Sequence, residues 1–282
     1  MQIIKEKERL EKLISAYKKD GKTIGFVPTM GALHPGHISL AKKAVKTCDK
    51  VVVSIFVNPT QFDNPEDLQK YPRDLEKDSA LLAEVSEELI IFSPVASEIY
   101  GDSVISDHFS FDGMEDLMEG KFRKGHFDGV GTVVKKLFEI VQPDKAFFGE
   151  KDFQQLQIIR KLVEKLNLKI DIIGCPIDRE ISGLARSSRN ERLSQEERRN
   201  AAYIYQVLQQ VKERFGIKNA PELSSWVMQR FKENPGLVLE YFEIADADNL
   251  ESVQVKEDDK KYRAFIAAYS GKIRLIDNIA LN

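Results

Sequence analysis

The chain has 282 residues, 42% hydrophobic and 31% charged, with a formal net charge of −3. That length exceeds the usual single core and predicts two domains, and the composition is that of a folded globular chain rather than a disordered one. The slightly negative balance argues against a general nucleic-acid binder, which carries a strongly basic face. The opening MQIIKEKERLEKLISAYKKD lacks the apolar centre of a secretory leader, and no segment reaches the roughly 18 apolar residues of a membrane span. Two cysteines, Cys48 and Cys175, are too few for a disulfide framework and are not spaced for zinc, so a reducing cytoplasm is expected.

The first half alternates strand and helix patterns. TIGFVPT (Thr23–Thr29) and VVVSIFV (Val51–Val57) are nearly continuous apolar runs, as strands covered on both faces require. Between them, HISLAKKAVKTC places Ile38, Leu40, Ala41, Ala44 and Val45 at helical spacing, giving a β-α-β unit with a right-handed crossover. RDLEKDSALLAEV predicts a second helix and ELIIF (Glu88–Phe92) a third strand. VGTVVKKLFEIV (Val130–Val141) is a helix stopped by Pro143; KAFFGE, DFQQLQIIRKLVEKL and KIDIIGC then read as strand, helix and strand. The repeated alternation predicts a doubly wound, Rossmann-like parallel sheet, which binds ligands at the carboxyl ends of its strands.

The pattern changes after Pro176. SQEERRNAAYIYQVLQQVKERF and PELSSWVMQRFKEN are amphipathic helices, followed by LVLEYFEIAD, YRAFIAAYS and KIRLID as strands. The fold class is therefore α/β: a parallel-sheet domain over 1–176 and a smaller α+β domain over 177–282.

Four clusters able to carry chemistry each follow a predicted strand. In PTMGALHPGH (Pro28–His37), Gly31 can take positive φ, Gly36 lets backbone approach a ligand, and Pro35 suits the first turn of a helix. The helix start offers free N–H groups and a positive dipole end for phosphate, beside the donors His34 and His37. The plainer reading is a strand–helix turn decorated by surface histidines; zinc is weakly supported, because no acidic or Cys ligand lies nearby. In FVNPTQF (Phe56–Phe62), Asn58 and Gln61 are neutral amides suited to hydroxyls or a carboxylate, although Asn-Pro is also a common turn. In FFGEKDFQQLQ (Phe147–Gln157), Gly149 ends a strand, Lys151 offers an ammonium, and Asp152 is placed to cap the next helix, with Gln155 three residues on along the same face. REISGLARSSRNERLS (Arg179–Ser194) interleaves four arginines with Ser187, Ser188 and Asn190, a match for terminal phosphates, or else an ordinary interdomain linker. Walker A, G-x-G-x-x-G, H-E-x-x-H and G-x-S-x-G patterns do not occur, which excludes the commonest P-loop, dinucleotide, zincin and serine-hydrolase readings. The residues alone thus point to a nucleotide-handling α/β enzyme without naming its substrate.

Taken together, PTMGALHPGH, FVNPTQF with YPRDLEKD, KFRKGHFDGVGTVVKKLFEIVQPDKAFFGEKDFQQLQIIR and GLARSSRNERLS resemble the pantothenate synthetase (pantoate–β-alanine ligase) family, in its order across most of Thr23–Ser194. The family's nucleotidyltransferase-like His-x-Gly-His signature corresponds to His34-Pro35-Gly36-His37. The resemblance implies condensation of (R)-pantoate with β-alanine at the expense of ATP, accompanied by Mg²⁺, giving pantothenate, AMP and pyrophosphate through a pantoyl adenylate. It places ATP on Met30, Gly31, Ala32, Leu33, His34, Pro35, Gly36 and His37, on Gly149, Glu150, Lys151 and Asp152, on Asp178, and on Arg186, Ser187, Ser188 and Arg189. His37 falls at the family's proton-donor position, with His34 and Lys151 beside it in the chemistry. Gln61 and Gln155 would hold pantoate, with Asn58 helping, and Gln61 would border the β-alanine site. Protein ligands of the metal are not assigned, and a cytoplasmic homodimer is implied.

Four positions depart from the family pattern: Arg186 stands where Met is usual, Asp178 and Ser182 differ from the common VREPDGLA, and Arg192 replaces a frequent Tyr. Arg186 would either strengthen phosphate binding or point to solvent. Two alternatives to the ligase remain at this level: an adenylyltransferase of the same fold that releases its adenylylated product, and a noncatalytic nucleotide-binding module. The amides around Gln61 and Gln155 suit a small hydroxy acid rather than a phosphorylated acceptor, and mere binding would not need both histidines, Lys151 and the Ser-Ser-Arg run.

Overall fold

The computed structural model describes residues 1–62 and 65–282, which fall into two compact units: Met1–Glu150 with Gln155–Pro176, and Lys151–Gln154 with Ile177–Asn282. In the first unit the strands are β1 (Gln2–Ile4), β2 (Ile24–Thr29), β3 (Lys50–Ile55), β4 (Ile90–Phe92), β5 (Lys145–Gly149) and β6 (Asp171–Cys175). The helices up to β5 are α1 (Lys7–Lys19), α2 (Pro35–Thr47), α3 (Pro65–Lys70), α4 (Leu75–Ala83), α5 (Ala96–Tyr100), α6 (Glu119–Phe122) and α7 (His126–Val141). Helix α8 (Phe153–Lys165) contributes its residues from Gln155 onward.

The six strands are parallel in the order β1-β4-β3-β2-β5-β6. Side chains alternate between two apolar layers, which is why the strand sequences read as unbroken apolar runs. Val27, Val51, Val53, Ile91 and Phe147 share one cluster with Leu40, Ala41 and Ala44 of α2 and Leu82 of α4. On the alternate positions, Phe26 meets the edge of Phe138 from α7 at 6.2 Å, and Phe138 meets Phe148 at 6.5 Å. Strand order turns back at β2, whose neighbours are β3 and β5. β2 and β5 pair only at Gly25↔Lys145 and Phe26↔Ala146, although β2 continues to Thr29 and β5 to Gly149. Their carboxyl ends therefore diverge, which opens the crevice where doubly wound sheets bind ligands.

The sequence reading left β1 and α1 unassigned. α1 buries only Leu10 and Ile14 in an otherwise charged segment, and β1 is a three-residue strand at the edge of the sheet. Among the described residues no helix is long and apolar enough to cross a membrane.

The second unit joins three helices to an antiparallel sheet. The predicted helix over Ser194–Phe215 is two, α9 (Gln195–Ala201) and α10 (Tyr203–Arg214), with Ala202 between them at helical angles (φ −60°, ψ −23°). α11 spans Ala220–Lys232; β7 (Val238–Asp246), β8 (Tyr262–Ser270) and β9 (Ile273–Ala280) follow in that spatial order. Reciprocal capping boxes, Ser194 with Glu197 and Asn219 with Glu222, fix the starts of α9 and α11. α10 buries Ile204, Val207, Leu208 and Val211, one helical stripe, against Ile244, Tyr262, Ala264 and Ile266 of the sheet.

Because Leu208 is fully buried, Leu208→Ala is expected to destabilise the second unit by about 2–5 kcal/mol. Trp226, the chain's single tryptophan, packs on this core and reports the loss as a lower urea midpoint by fluorescence. An unchanged midpoint would contradict the core assignment.

Candidate active site

The turn leaving β2 is built from the strand outward. Thr29 Oγ1 donates to the Ser54 carbonyl at 2.6 Å and accepts from Gly31 N at 3.2 Å. Gly31 has φ +82°, and a Cβ there would lie 2.9 Å from Asp78 Oδ2, so glycine is required for both its conformation and its space. The Asp78 carboxylate accepts from Ala32 N at 3.0 Å and Leu33 N at 2.7 Å, holding Ala32 at φ +50°. Asp78 is only 2% exposed; burial pushes its carboxyl up, and the two N–H bonds pull it back down.

These contacts fix where α2 begins. His34 is its N-cap and Pro35 stands in its first turn. His34 Nδ1 accepts from Gly36 N at 3.2 Å, so the neutral ring carries its proton on Nε2. One turn on, the His37 ring lies 4.1 Å from that of His34, centroid to centroid. The predicted pair thus shares one face at a helix N-terminus, the positive end of the helix dipole.

The amide cluster stands beside that turn, in the same unit. Gln61 Nε2 reaches Met30 Sδ at 2.6 Å, and Gln61 Oε1 accepts from Asn58 Nδ2 at 3.2 Å. Asn58 is 1% exposed. Its Oδ1 accepts from Tyr100 and from the Thr60 hydroxyl, and its Nδ2 also donates to the Gly129 carbonyl. Asn58 is therefore more than a turn residue: it orients the Gln61 amide. Gly129 permits this arrangement, since a Cβ there would sit 2.3 Å from the Thr60 carbonyl oxygen. The Gln61 carbonyl is itself bonded to His126 Nδ1 at 3.1 Å and Arg123 at 3.3 Å. Gln155 is half-buried on α8, and Gly149 ends β5 with open space where a Cβ would stand.

The second unit holds the remaining cluster. Lys151, Ser187 and Arg189 line one concavity there, floored in part by Asp277 of β9. Asp152 directly precedes α8 and closes a 3₁₀ turn (Glu150–Asp152), its carboxylate 3.8 Å from Lys151 Nζ. The Ser-Arg segment is an ordered hairpin rather than a linker: Arg179 bridges Ala185, and Arg186 N donates to the Asp178 carbonyl at 3.0 Å. Ser187 caps the 3₁₀ turn Ser188–Arg192, while buried Asn190 ties Ala185 to Glu180. Two departures from the family pattern meet here. Arg186 Nε lies 2.9 Å from Asp178 Oδ2, so Arg186 neither points freely to solvent nor stands as an unpaired cation.

Sequence reasoning missed the residues that hold the functional ones: Asp78, Tyr100, Gly129, His126 and the Asp277-Asn278 pair of β9. Asp78 left a signal, an acidic residue with Leu75, Ser79 and Leu82 on the buried stripe of α4. Gly129 left another, a glycine in a helix interior, which marks close backbone approach.

A parallel sheet with a His-x-Gly-His helix start at its divergent strand ends defines a nucleotidyltransferase-like α/β enzyme. The family model described as pantoate-beta-alanine ligase matches residues 2–280. The chain is 62% identical over 282 residues to pantothenate synthetase of Christiangramia forsetii, covering 100% of both chains. It is 53% identical over 281 residues to that of Flavobacterium psychrophilum, again covering 100% of both. Pantothenate synthetase of Thermus thermophilus superposes with a TM-score of 0.91 at 36% identity, over 100% of this chain and 99% of the other. The Francisella tularensis pantoate-beta-alanine ligase, solved with beta-gamma ATP and beta-alanine, superposes at 0.82 with 39% identity, over 100% and 98%. The chain belongs to the pantoate-beta-alanine ligase family. The relatives' names support an acid–amine ligase and not the adenylyltransferase alternative.

Asp78→Ala leaves two loop N–H groups without their acceptor and is expected to destabilise by about 1–3 kcal/mol. Hydrogen exchange at the Ala32 and Leu33 amides should rise with it; unchanged protection of both would refute the clamp. Because the folded carboxyl titrates above its unfolded value, the fold retains that proton longer than the unfolded chain. Its contribution to stability is therefore present at low pH and declines as pH rises through the folded value, a slope that Asp78→Asn should remove.

Proposed function

We propose that the chain condenses (R)-pantoate with β-alanine at the expense of ATP, giving pantothenate, AMP and pyrophosphate. The observation that carries this reading is the joining of the phosphate-type helix start to the amide cluster through Gln61 and Met30. A phosphate site beside a preoriented carboxamide suits a reaction in which a small hydroxy acid meets the α-phosphorus of a nucleotide. The ATP and β-alanine of the Francisella complex are the same co-substrates.

The pantoate carboxylate attacks the α-phosphorus and pyrophosphate leaves; the β-alanine amine then attacks the acyl carbon, losing a proton as AMP departs. Gln61 and Gln155 bind pantoate, with Asn58 setting the Gln61 amide. Met30–His37, Gly149 and Glu150 supply the first unit's ATP contacts; Lys151, Asp152, Asp178 and Arg186–Arg189 supply those of the second. His34 donates from Nε2 to the nucleotide, while His37 and Lys151 stabilise charge as it grows on the phosphoryl oxygens, where such transfers gain most. Mg²⁺ enters with ATP as part of the substrate, held by phosphate oxygens and water. Among the described residues no three His, Cys, Asp or Glu side chains are grouped to hold a metal themselves. The reading also implies a cytoplasmic homodimer.

Incubation with ATP, Mg²⁺, pantoate and β-alanine should give AMP, pyrophosphate and pantothenate; ADP and phosphate would overturn the assignment. His37→Ala should lower kcat by roughly two to three orders of magnitude while the fold remains, as loss of a transition-state donor does. Lys151→Ala should cut pantoate-dependent exchange of pyrophosphate into ATP, and undiminished exchange would remove Lys151 from the chemistry.

A further inference from the structure

Lys151 follows a strand of the parallel sheet in sequence, yet Lys151–Gln154 belong to the second unit. Phe153 packs on Phe265 of β8, and a buried amide holds the main chain at Lys151. Asn278 of β9, 1% exposed, donates from Nδ2 to the Lys151 carbonyl at 2.9 Å. Arg263 of β8 donates to the Asn278 Oδ1.

A guanidinium can only donate and a main-chain carbonyl can only accept, so the two partners permit just one orientation of the Asn278 amide. Arg263, 8% exposed, is fixed in turn by its guanidinium stacked 3.9 Å above the Phe153 ring, two residues beyond Lys151. Next to Asn278, Asp277 grips Arg179 through two bonds of 2.7 and 2.9 Å, and Arg179 holds the Gly183 carbonyl at 3.0 Å. The Asp277-Asn278 pair thus ties down Lys151 and the hairpin that leads to Ser187 and Arg189, residues of the same concavity.

We propose that Asn278, oriented by Arg263, is a positioning residue that sets the main chain at Lys151 and so aims its ammonium at the reacting phosphate. The proposal rests on the role given to Lys151 above. A lysine stem is long and mobile, and anchoring its Cα removes most of the placement error that its own rotamers cannot correct. Asn278→Asp is the selective variant: it keeps an oxygen for Arg263 but turns a carboxylate oxygen, not a donor, toward the Lys151 carbonyl.

The test is a double-mutant cycle on pantoate-dependent pyrophosphate exchange, with thermal melts of every variant. Asn278→Asp alone should lower kcat for exchange about tenfold or more, with KM for pantoate unchanged. In the Lys151→Ala background, whose main chain still carries the carbonyl, the same change should alter kcat by less than about twofold. Asn278→Ala carries the same cycle should the carboxylate variant fail to fold. Losses that multiply in the two backgrounds would show a general structural role and overturn the proposal, as would a single variant with normal kcat. If Lys151→Ala itself leaves exchange intact, the role of Lys151 falls, and the proposal with it.

Discussion

One buried carboxylate decides where the chemistry of the first unit begins. Asp78 takes the N–H groups of Ala32 and Leu33, and that pair of bonds holds Ala32 at φ +50° next to Gly31, where a Cβ would lie 2.9 Å from the same carboxylate. Backbone strain of this kind persists only where surrounding structure over-determines it. From that fixed turn the rest follows in order. His34 caps α2 and commits its Nδ1, the helix start faces the divergence of β2 from β5, and His37 stands one turn on with its ring against His34. Met30, at the head of the same turn, is where Gln61 makes contact.

The second unit applies a similar strategy through β9. A polar dipeptide inside β9, where its in–out alternation breaks with two buried residues in succession, anchors two separate segments by main-chain and guanidinium contacts. In both units the side chains of His34, His37, Gln61, Lys151 and Arg189 are half-buried, while the groups that hold their segments, Asp78, Asn58, Asp277 and Asn278, are almost wholly buried. Buried polar groups that are fully bonded in this way fix a unique geometry, and partial satisfaction would be costly. The half-buried Asp178–Arg186 ion pair closes the base of the hairpin in addition to the main-chain bond between the same two residues.

The fold was legible where periodicity was strong. Strands β2, β3 and β5 are buried on both faces and wrote that burial as continuous apolar runs; the apolar stripe of α7 was readable over Val130–Val141, although the helix begins at His126. β1 and α1 were not legible because three strand residues and two buried side chains leave no period to read. The split of α9 from α10 escaped for a different reason, since Ala202 keeps helical angles and no breaker residue marks the site. Among the groups proposed to act, the histidines, Gln61 and Lys151 stand out in the sequence because their residue types are costly to explain otherwise beside a strand end. Asn278 and Arg263 were invisible: their meaning lies in a contact with a main chain 127 residues distant from Asn278.

The central claim is that the pantoate carboxylate, once placed by Gln61 beside the helix start, attacks the α-phosphorus itself. Oxygen labelling reads that bond directly. With pantoate carrying ¹⁸O in its carboxylate, the attacking oxygen stays on phosphorus when the amine displaces AMP, so one labelled oxygen should be found in AMP by mass spectrometry. Label absent from AMP, or present in inorganic phosphate, would contradict the adenylate and the site built around it.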